Sequence, residues 1–187
     1  MMTTSEGDVA TGPRVAPGTL SELGLINWVF ARGAARVIGV RDAHVFSTLG
    51  RTRGLFRAWL YYSSRLMPFG SLSRHESEMV IIRVAHLRGS DYELDHHRRL
   101  GKRAGIDDAE CAQIIAGPDA GWGDREKWML QAVDELIADK DISETTWTSL
   151  RRHLDERRAI AFVLLALQYD SLATTLHTLR VQRDERV

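Results

Sequence analysis

The residues best suited to chemistry in this sequence are carboxylates and histidines between positions 76 and 106. In the second half of that segment, a helical period places one inward stripe at Leu94, His97, Gly101 and Ala104. Glu93 lies one turn before His97 on the same side of this predicted helix. A histidine beside a carboxylate can accept and donate protons near neutral pH. The spacing therefore predicts a site for general acid–base catalysis.

A second glutamate, Glu78, lies on the preceding predicted helix, on the side of Ile82 and, two turns later, of His86. A carboxylate among apolar residues is costly to bury without a partner, and His97 or Arg83 is the expected partner. A carboxylate bonded to a histidine fixes the tautomer of the ring and raises its basicity. Such pairs are also common as purely structural features, and the pattern by itself leaves both interpretations open.

The adjacent histidine, His96, points about 100° away from His97 around the helix. It shares that direction with Arg99 and Arg103, so we expect His96 on a solvated basic face. Two neighbouring histidines that diverge in this way are poorly placed to bind one metal ion, and no HExxH motif is present. The sequence thus predicts no metal site.

The segments that position these residues carry helical periodicity almost throughout. Capping boxes are expected at Ser73 and Asp107, and N-caps at Asp124 and Ser143. Predicted helices cover residues 20–40, 51–67, 125–138 and 155–179, and two more fill residues 76–106 with a break at residues 88–90. We therefore expect a single-domain, all-α, multi-helix bundle over residues 18–187, after a flexible N-terminal tail over residues 1–17.

The composition narrows the possible functions. The 187 residues include 25 Lys+Arg and 25 Asp+Glu, and this balance removes the usual electrostatic basis for nucleic-acid or membrane binding. Cys111 is the one cysteine, so no intramolecular disulfide can form. No signal sequence is recognisable, and the longest apolar run, residues 159–167, is about half a membrane span. These features predict a cytoplasmic protein whose last helix is central to the core or buried by another subunit.

The spacing of the candidate catalytic residues resembles a known motif. Glu78 is followed after eleven residues by Ser90, after two more by Glu93 and after three more by His97. This is similar to the Glu-x11-Cys-x2-Cys-x3-His signature of the alkylhydroperoxidase D and carboxymuconolactone decarboxylase superfamily, with Ser90 and Glu93 at the cysteine positions. Tyr92, Glu93 and His97 also resemble the Tyr-Glu-(Trp)-x-x-His pattern of cysteine-free members. The resemblance covers about residues 20–181 and implies an alkylhydroperoxidase D-like fold.

By analogy with the decarboxylase, the resemblance implies a cofactor-free enzyme that acts on a small carboxylated lactone or related carbonyl compound. His97 would donate or accept the proton, Glu78 would orient it, and Glu93 and Tyr92 would contact the substrate. The resemblance further implies a homo-oligomer, a trimer or a hexamer, with active sites near the subunit interfaces.

Ser90 is a further expected substrate contact, and His86 is expected either to line this pocket or to be a structural histidine at the edge of the core. A cationic group should hold the substrate carboxylate, and Arg83 and Arg88 are the two candidates for it. These assignments complete the predicted site.

Two other functions stay open. A thiol peroxidase, as in the alkylhydroperoxidase D branch, needs two cysteines, and Cys111 lies alone on another predicted helix. A catalytically silent oligomeric binding protein would keep the scaffold without the chemistry. A pocket filled by side chains would favour the silent protein, whereas an open pocket lined by Glu78, Glu93 and His97 would favour the acid–base enzyme.

Overall fold

The computed structural model describes residues 12–186, and over this range the chain is all-helical, with one isolated bridge between Val40 and Arg186. The elements are α1 (Leu20–Leu23), α2 (Leu25–Ile38), α3 (His44–Leu49), a 3-10 helix (Gly50–Thr52), α4 (Gly54–Leu66), α5 (Arg74–Leu87), α6 (Asp91–Arg103), α7 (Asp108–Ala116), α8 (Asp124–Asp139), α9 (Glu144–Arg151) and α10 (Glu156–Leu179). The predicted all-α bundle is confirmed.

Two predicted helices are each divided in the structure. Gly24 adopts a positive φ of 75° and separates α1 from α2 within the predicted helix at residues 20–40. The predicted helix at residues 51–67 begins instead with the 3-10 turn, and Arg53, at a φ of 52°, separates this turn from α4. A reversal of φ interrupts the backbone hydrogen-bond ladder at both places, and apolar periodicity does not record it.

Helix α5 is the centre of the bundle. Ser73 caps it through a capping box, since Oγ accepts from the Glu76 amide at 3.1 Å and Glu76 Oε2 accepts from the Ser73 amide at 2.9 Å. All nine residues from 77 to 85 are buried, because α5 packs against α6, α7, α8 and α10. Any polar residue on this helix must therefore find a partner inside the protein.

Helix α10 begins after Asp155, whose side chain caps it, and buries one side in the main core through Phe162, Leu165 and Ala166. On its other side Ile160 and Leu164 are exposed. Over an 18-residue window its mean hydropathy is 1.5, so by length and composition it meets the criterion for a membrane span, contrary to the prediction that no segment would. Core helices of globular bundles often have this composition as well.

Both ends of the described chain are bonded to the bundle. Of the predicted flexible tail, residues 1–11 lie outside the described residues, but the Arg14 amide donates to the Leu179 carbonyl oxygen at 3.0 Å. Residues 181–186, here called the C-terminal strap, turn back after α10 and run beside the loop between α2 and α3. The Arg41 amide donates to the Glu185 carbonyl oxygen at 3.1 Å, and Arg186 donates to Asp95 on α6 at 3.0 Å, so the strap lies against one side of α6.

Candidate active site

A cavity of about 380 Å³ lies between α2, α3, α4, α6 and α10. Its walls are mainly apolar and include Phe30, Phe46, Trp59, Met67 and Phe69. The side chains with polar groups that line it are Ser63, Ser64, Tyr92, Glu93, His96, His97, Gln168 and Tyr169. An apolar cavity of this size with a few convergent polar groups is typical of a small-molecule site.

His97 and Glu78 are bonded to each other beside this cavity. Glu78 is fully buried, and its Oε2 lies 2.7 Å from His97 Nδ1. Its other oxygen accepts from Arg74 Nη2 at 2.8 Å. Glu78 does not line the cavity itself but lies behind His97, which does. Nε2 of His97 has no hydrogen-bond partner within residues 12–186 and is therefore available to a ligand.

The close packing of α6 on α5 brings these two residues together. Gly101 is buried, and a Cβ placed on it would lie only 3.2 Å from Cδ1 of Ile82 on α5. The absence of a side chain at Gly101 therefore allows α6 to contact α5 closely. The predicted inward direction of His97 follows from the same helix face.

Glu93 is a buried carboxyl group without a protein partner. It is 2% exposed, lines the cavity, and neither carboxyl oxygen has a hydrogen-bond partner in the part of the chain that the structure describes. Burial raises its pKa to about 8; the nearby Ser90 hydroxyl opposes this rise, and the Asp170 charge adds a smaller upward effect. Glu93 is therefore mostly protonated at neutral pH and can donate a hydrogen bond to a ligand.

Tyr169 completes the surroundings of His97. Its ring meets the imidazole edge to face, with centroids 5.0 Å apart and planes at 89°. Burial and the charges of Glu78 and Glu93 raise the pKa of Tyr169 well above its ordinary value, so the phenol remains protonated. Tyr169 lies on α10, 72 positions after His97, and so outside the motif from which the site was predicted.

The prediction that His96 lies on a solvated basic face is wrong. Its ring is buried and lines the cavity, and Nε2 lies 2.7 Å from Oδ2 of Asp184. The predicted direction on α6 leads away from His97, but the C-terminal strap covers that side of the helix. The sequence contained no local signal for this contact, because 88 residues separate the two side chains.

Tyr92, a predicted substrate contact, lines the same cavity and, like His96, contacts the carboxylate of Asp184. Its hydroxyl donates to Asp184 Oδ1 at 2.9 Å and accepts from the Val45 amide at 3.0 Å. Burial opposes the ionisation of Asp184, but hydrogen bonds from His96, from the His44 amide and from Tyr92 outweigh it and lower the pKa of Asp184. Asp184 is thus a buried carboxylate with three donors.

Arg83 does not reach the cavity, contrary to its predicted role in substrate binding. Its Nε and Nη2 donate to the two carboxylate oxygens of Asp134 on α8, at 2.6 and 2.7 Å. Nη1 donates to the carbonyl oxygens of Ile114 and Ile115 at the end of α7. These four hydrogen bonds join α5, α7 and α8, so the role of this guanidinium group is structural.

The remaining predicted contacts also lie outside the cavity. Ser90 is the residue before α6 and faces a separate surface groove, and His86 is exposed at the end of α5. Arg88 is paired with Asp170 at 2.9 Å. Cys111 is buried in the main core on α7 and does not line the cavity. No group of three His, Cys, Asp or Glu side chains that could hold a metal ion occurs within residues 12–186.

The comparison with protein families gives one match. The model described as "Carboxymuconolactone decarboxylase family" matches residues 53–135, a range that contains Glu78, Ser90, Glu93 and His97. No curated protein matches the chain. The sequence similarity therefore covers the segment from α4 into α8, including the helices that carry the His97–Glu78 pair.

Several solved structures share the fold. A peroxidase-related protein from Ralstonia eutropha JMP134, described as an alkylhydroperoxidase AhpD core, is 18% identical, with 91% of this chain and 92% of that chain covered and a TM-score of 0.78. A peroxidase-related protein from Silicibacter sp. TM1040 is 16% identical, with 97% of this chain and 94% of that chain covered and a TM-score of 0.74. A cysteine-to-alanine variant of the debrominase Bmp8, in complex with 2,3,4-tribromopyrrole, is 14% identical. The match covers 96% of this chain and 93% of that chain, with a TM-score of 0.73.

Proposed function

This chain belongs to the carboxymuconolactone decarboxylase and alkylhydroperoxidase D-like superfamily, and on that premise we propose that it is a cofactor-free acid–base enzyme. The proposed substrate is a small carboxylated lactone or a related carbonyl compound. One observation carries the proposal: a single cavity holds a histidine bonded to a buried carboxylate and, beside it, a carboxyl group that is mostly neutral at neutral pH. These are a proton carrier and a hydrogen-bond donor for an oxyanion.

The proposed reaction is loss of CO2 from a carbon next to a carbonyl group. The bond between that carbon and the carboxylate breaks, and its electron pair passes to the carbonyl oxygen as an enolate. Protonated Glu93 donates a hydrogen bond to the enolate oxygen, where negative charge develops. The Nε2–H of protonated His97 then gives its proton to the carbon, and the ring is reprotonated from solvent. The products are CO2 and the carbonyl compound in which hydrogen has replaced the carboxylate on that carbon.

Glu78 acts through His97 in this mechanism. By accepting at Nδ1, it keeps a proton on that nitrogen and directs Nε2 to the cavity. The Glu78 carboxylate also forms an ion pair with Arg74, and it can balance the positive charge that His97 carries before it gives up its proton. Glu78 is accordingly a positioning residue, and His97 and Glu93 are the groups that meet the substrate.

The decisive experiment measures turnover in D2O by the wild type and by Cys111→Ser. Candidate substrates are a β-keto acid and a carboxylated butenolide, with CO2 release and deuterium incorporation at the carbon followed by NMR. We expect both proteins to release CO2 and incorporate deuterium at equal rates, because Cys111 is buried away from the cavity.

The same two proteins separate the other functions. Consumption of an organic hydroperoxide with a thiol reductant, lost in Cys111→Ser, would instead establish a peroxidase and contradict the proposal. Binding of small ring compounds without turnover of either substrate class would favour the silent binding protein. The relative with bound 2,3,4-tribromopyrrole makes that compound a suitable binding probe.

We further propose that the protein is a homo-oligomer, a trimer or hexamer, because α2 and α4 leave large apolar side chains uncovered. Leu25, Ile26, Val29 and Val37 of α2 and Leu55 of α4 are each more than half exposed, which is unusual for the surface of a monomer. Sedimentation velocity should show the oligomer for the wild type and smaller species for Ile26→Lys. A wild-type monomer at micromolar concentration would contradict this proposal.

A further inference from the structure

The cavity requires a cation if its ligand carries a carboxylate, because an anion is costly to place among apolar walls. No arginine or lysine lines the cavity in the described part of the chain. Arg83 and Arg88, the cations that the sequence suggested, are bonded to Asp134 and Asp170. The two histidines are thus the lining side chains that can carry positive charge, and the proposed mechanism already uses His97.

We propose that His96, held by the buried carboxylate of Asp184, is the carboxylate-binding site of this cavity, and that the C-terminal strap is therefore part of the active site. The inference rests on the proposed function, since the ligand is the carboxylated substrate of the same cavity. An ion pair to a departing carboxylate would stabilise the ground state and slow its loss. We therefore expect His96 to hold a carboxylate that is retained in the product.

The contacts of His96 suit this role. Its Nε2 lies against Asp184 at 2.7 Å, whereas Nδ1 has no hydrogen-bond partner within residues 12–186. When both nitrogens are protonated, the ring donates from Nε2 to Asp184 and retains the Nδ1 proton for a ligand. The Asp184 side chain is 1% exposed, so its negative charge faces the ring with little screening by water.

Asp184 is itself held firmly in place. Its Oδ1 accepts from the Tyr92 hydroxyl and from the His44 amide, both at 2.9 Å. The strap is further joined to α6, since Arg186 donates to Asp95 at 3.0 Å and Arg183 pairs with Asp91. These contacts fix the carboxylate behind His96 without placing it in the cavity, which leaves the cavity-lining surface of the ring for a ligand.

Benzoate and benzamide test the proposal, because they have nearly the same shape and differ in charge. Calorimetric titration at one pH would compare wild type with His96→Gln, Asp184→Asn and Glu185→Gln, the last being an exposed residue of the same strap. We expect the first two substitutions to weaken benzoate binding tenfold or more and to leave benzamide binding unchanged. Glu185→Gln should change neither.

Two results would overturn the inference: unchanged benzoate affinity in His96→Gln, or an equal loss of affinity for both probes. His96→Gln decides the matter even if Asp184→Asn fails to fold, because it leaves the bonds of Asp184 to Tyr92 and His44 in place. His97→Gln separates this proposal from the proposed function, since it should retain benzoate binding. A wild type that prefers benzoate but never decarboxylates would refute the enzyme and retain the carboxylate site.

Discussion

Replacing His97 by Gln is expected to lower kcat for decarboxylation by a factor of about 10²–10⁴, the range typical of losing a general acid. Nε2 of this ring is available in the cavity, whereas a glutamine amide cannot deliver a proton to carbon. Gln has a similar reach and can still donate a hydrogen bond to Glu78, so the buried carboxylate keeps a partner. The measurement is single-turnover CO2 release, with circular dichroism to verify the fold.

His86→Gln is the matched control, because that histidine is exposed at the end of α5 and away from the cavity. It should leave kcat unchanged. Glu78→Gln should lower kcat and also alter the ¹⁵N signals that report the tautomer of His97, because its acceptor at Nδ1 is changed. Unimpaired turnover by His97→Gln would remove this residue from the mechanism and, with it, the proposed function.

Glu93 is expected to make the protein less stable as the pH rises from about 4.5 to about 8. Burial raises its pKa in the folded chain from the ordinary value of 4.5 to about 8, so the folded state holds a proton that the unfolded state has released. The stabilisation is fully present below about pH 4.5 and decreases until the pH passes about 8. At 1.36 kcal/mol per pH unit, the accumulated loss is on the order of 5 kcal/mol.

Glu93→Gln removes this dependence, because the amide is neutral at every pH. The difference in the free energy of unfolding between the variant and wild type should therefore grow with pH, reaching a few kcal/mol in favour of the variant near pH 8. Urea unfolding of both proteins at several pH values measures this difference. The other titrating groups are the same in both proteins, so their contributions cancel. Glu185→Gln, at an exposed glutamate, should show no such trend. A pH-independent difference for Glu93→Gln would mean that Glu93 is ionised in the folded protein.

The same titration bears on catalysis. The proposed role of Glu93 requires the protonated carboxyl group, so turnover should decline as the pH rises above about 8. The glutamine amide of Glu93→Gln can still donate to an enolate oxygen and does not titrate, so this decline should be absent in the variant.

The sequence by itself determined the features that depend on neighbouring residues. Apolar spacing and the cap at Ser73 located α5, and the period of α6 directed His97 inward beside Glu93. The motif spacing also predicted the family whose model matches residues 53–135. These predictions succeeded because a helix places residues three and four positions apart on one face, whatever the rest of the chain does.

The tertiary structure alone decided which partners these residues meet. The sequence left His97 and Arg83 as possible partners of Glu78. In the structure Glu78 pairs with His97, and Arg83 pairs with Asp134, 51 residues away. His96 was predicted to face solvent, and the C-terminal strap converts it into a cavity residue through Asp184. Burial and pairing depend on which distant segment covers a helix face. Packing and the need of every buried charge for a partner determine which segment covers the face. The apolar period along a helix carries no information about either.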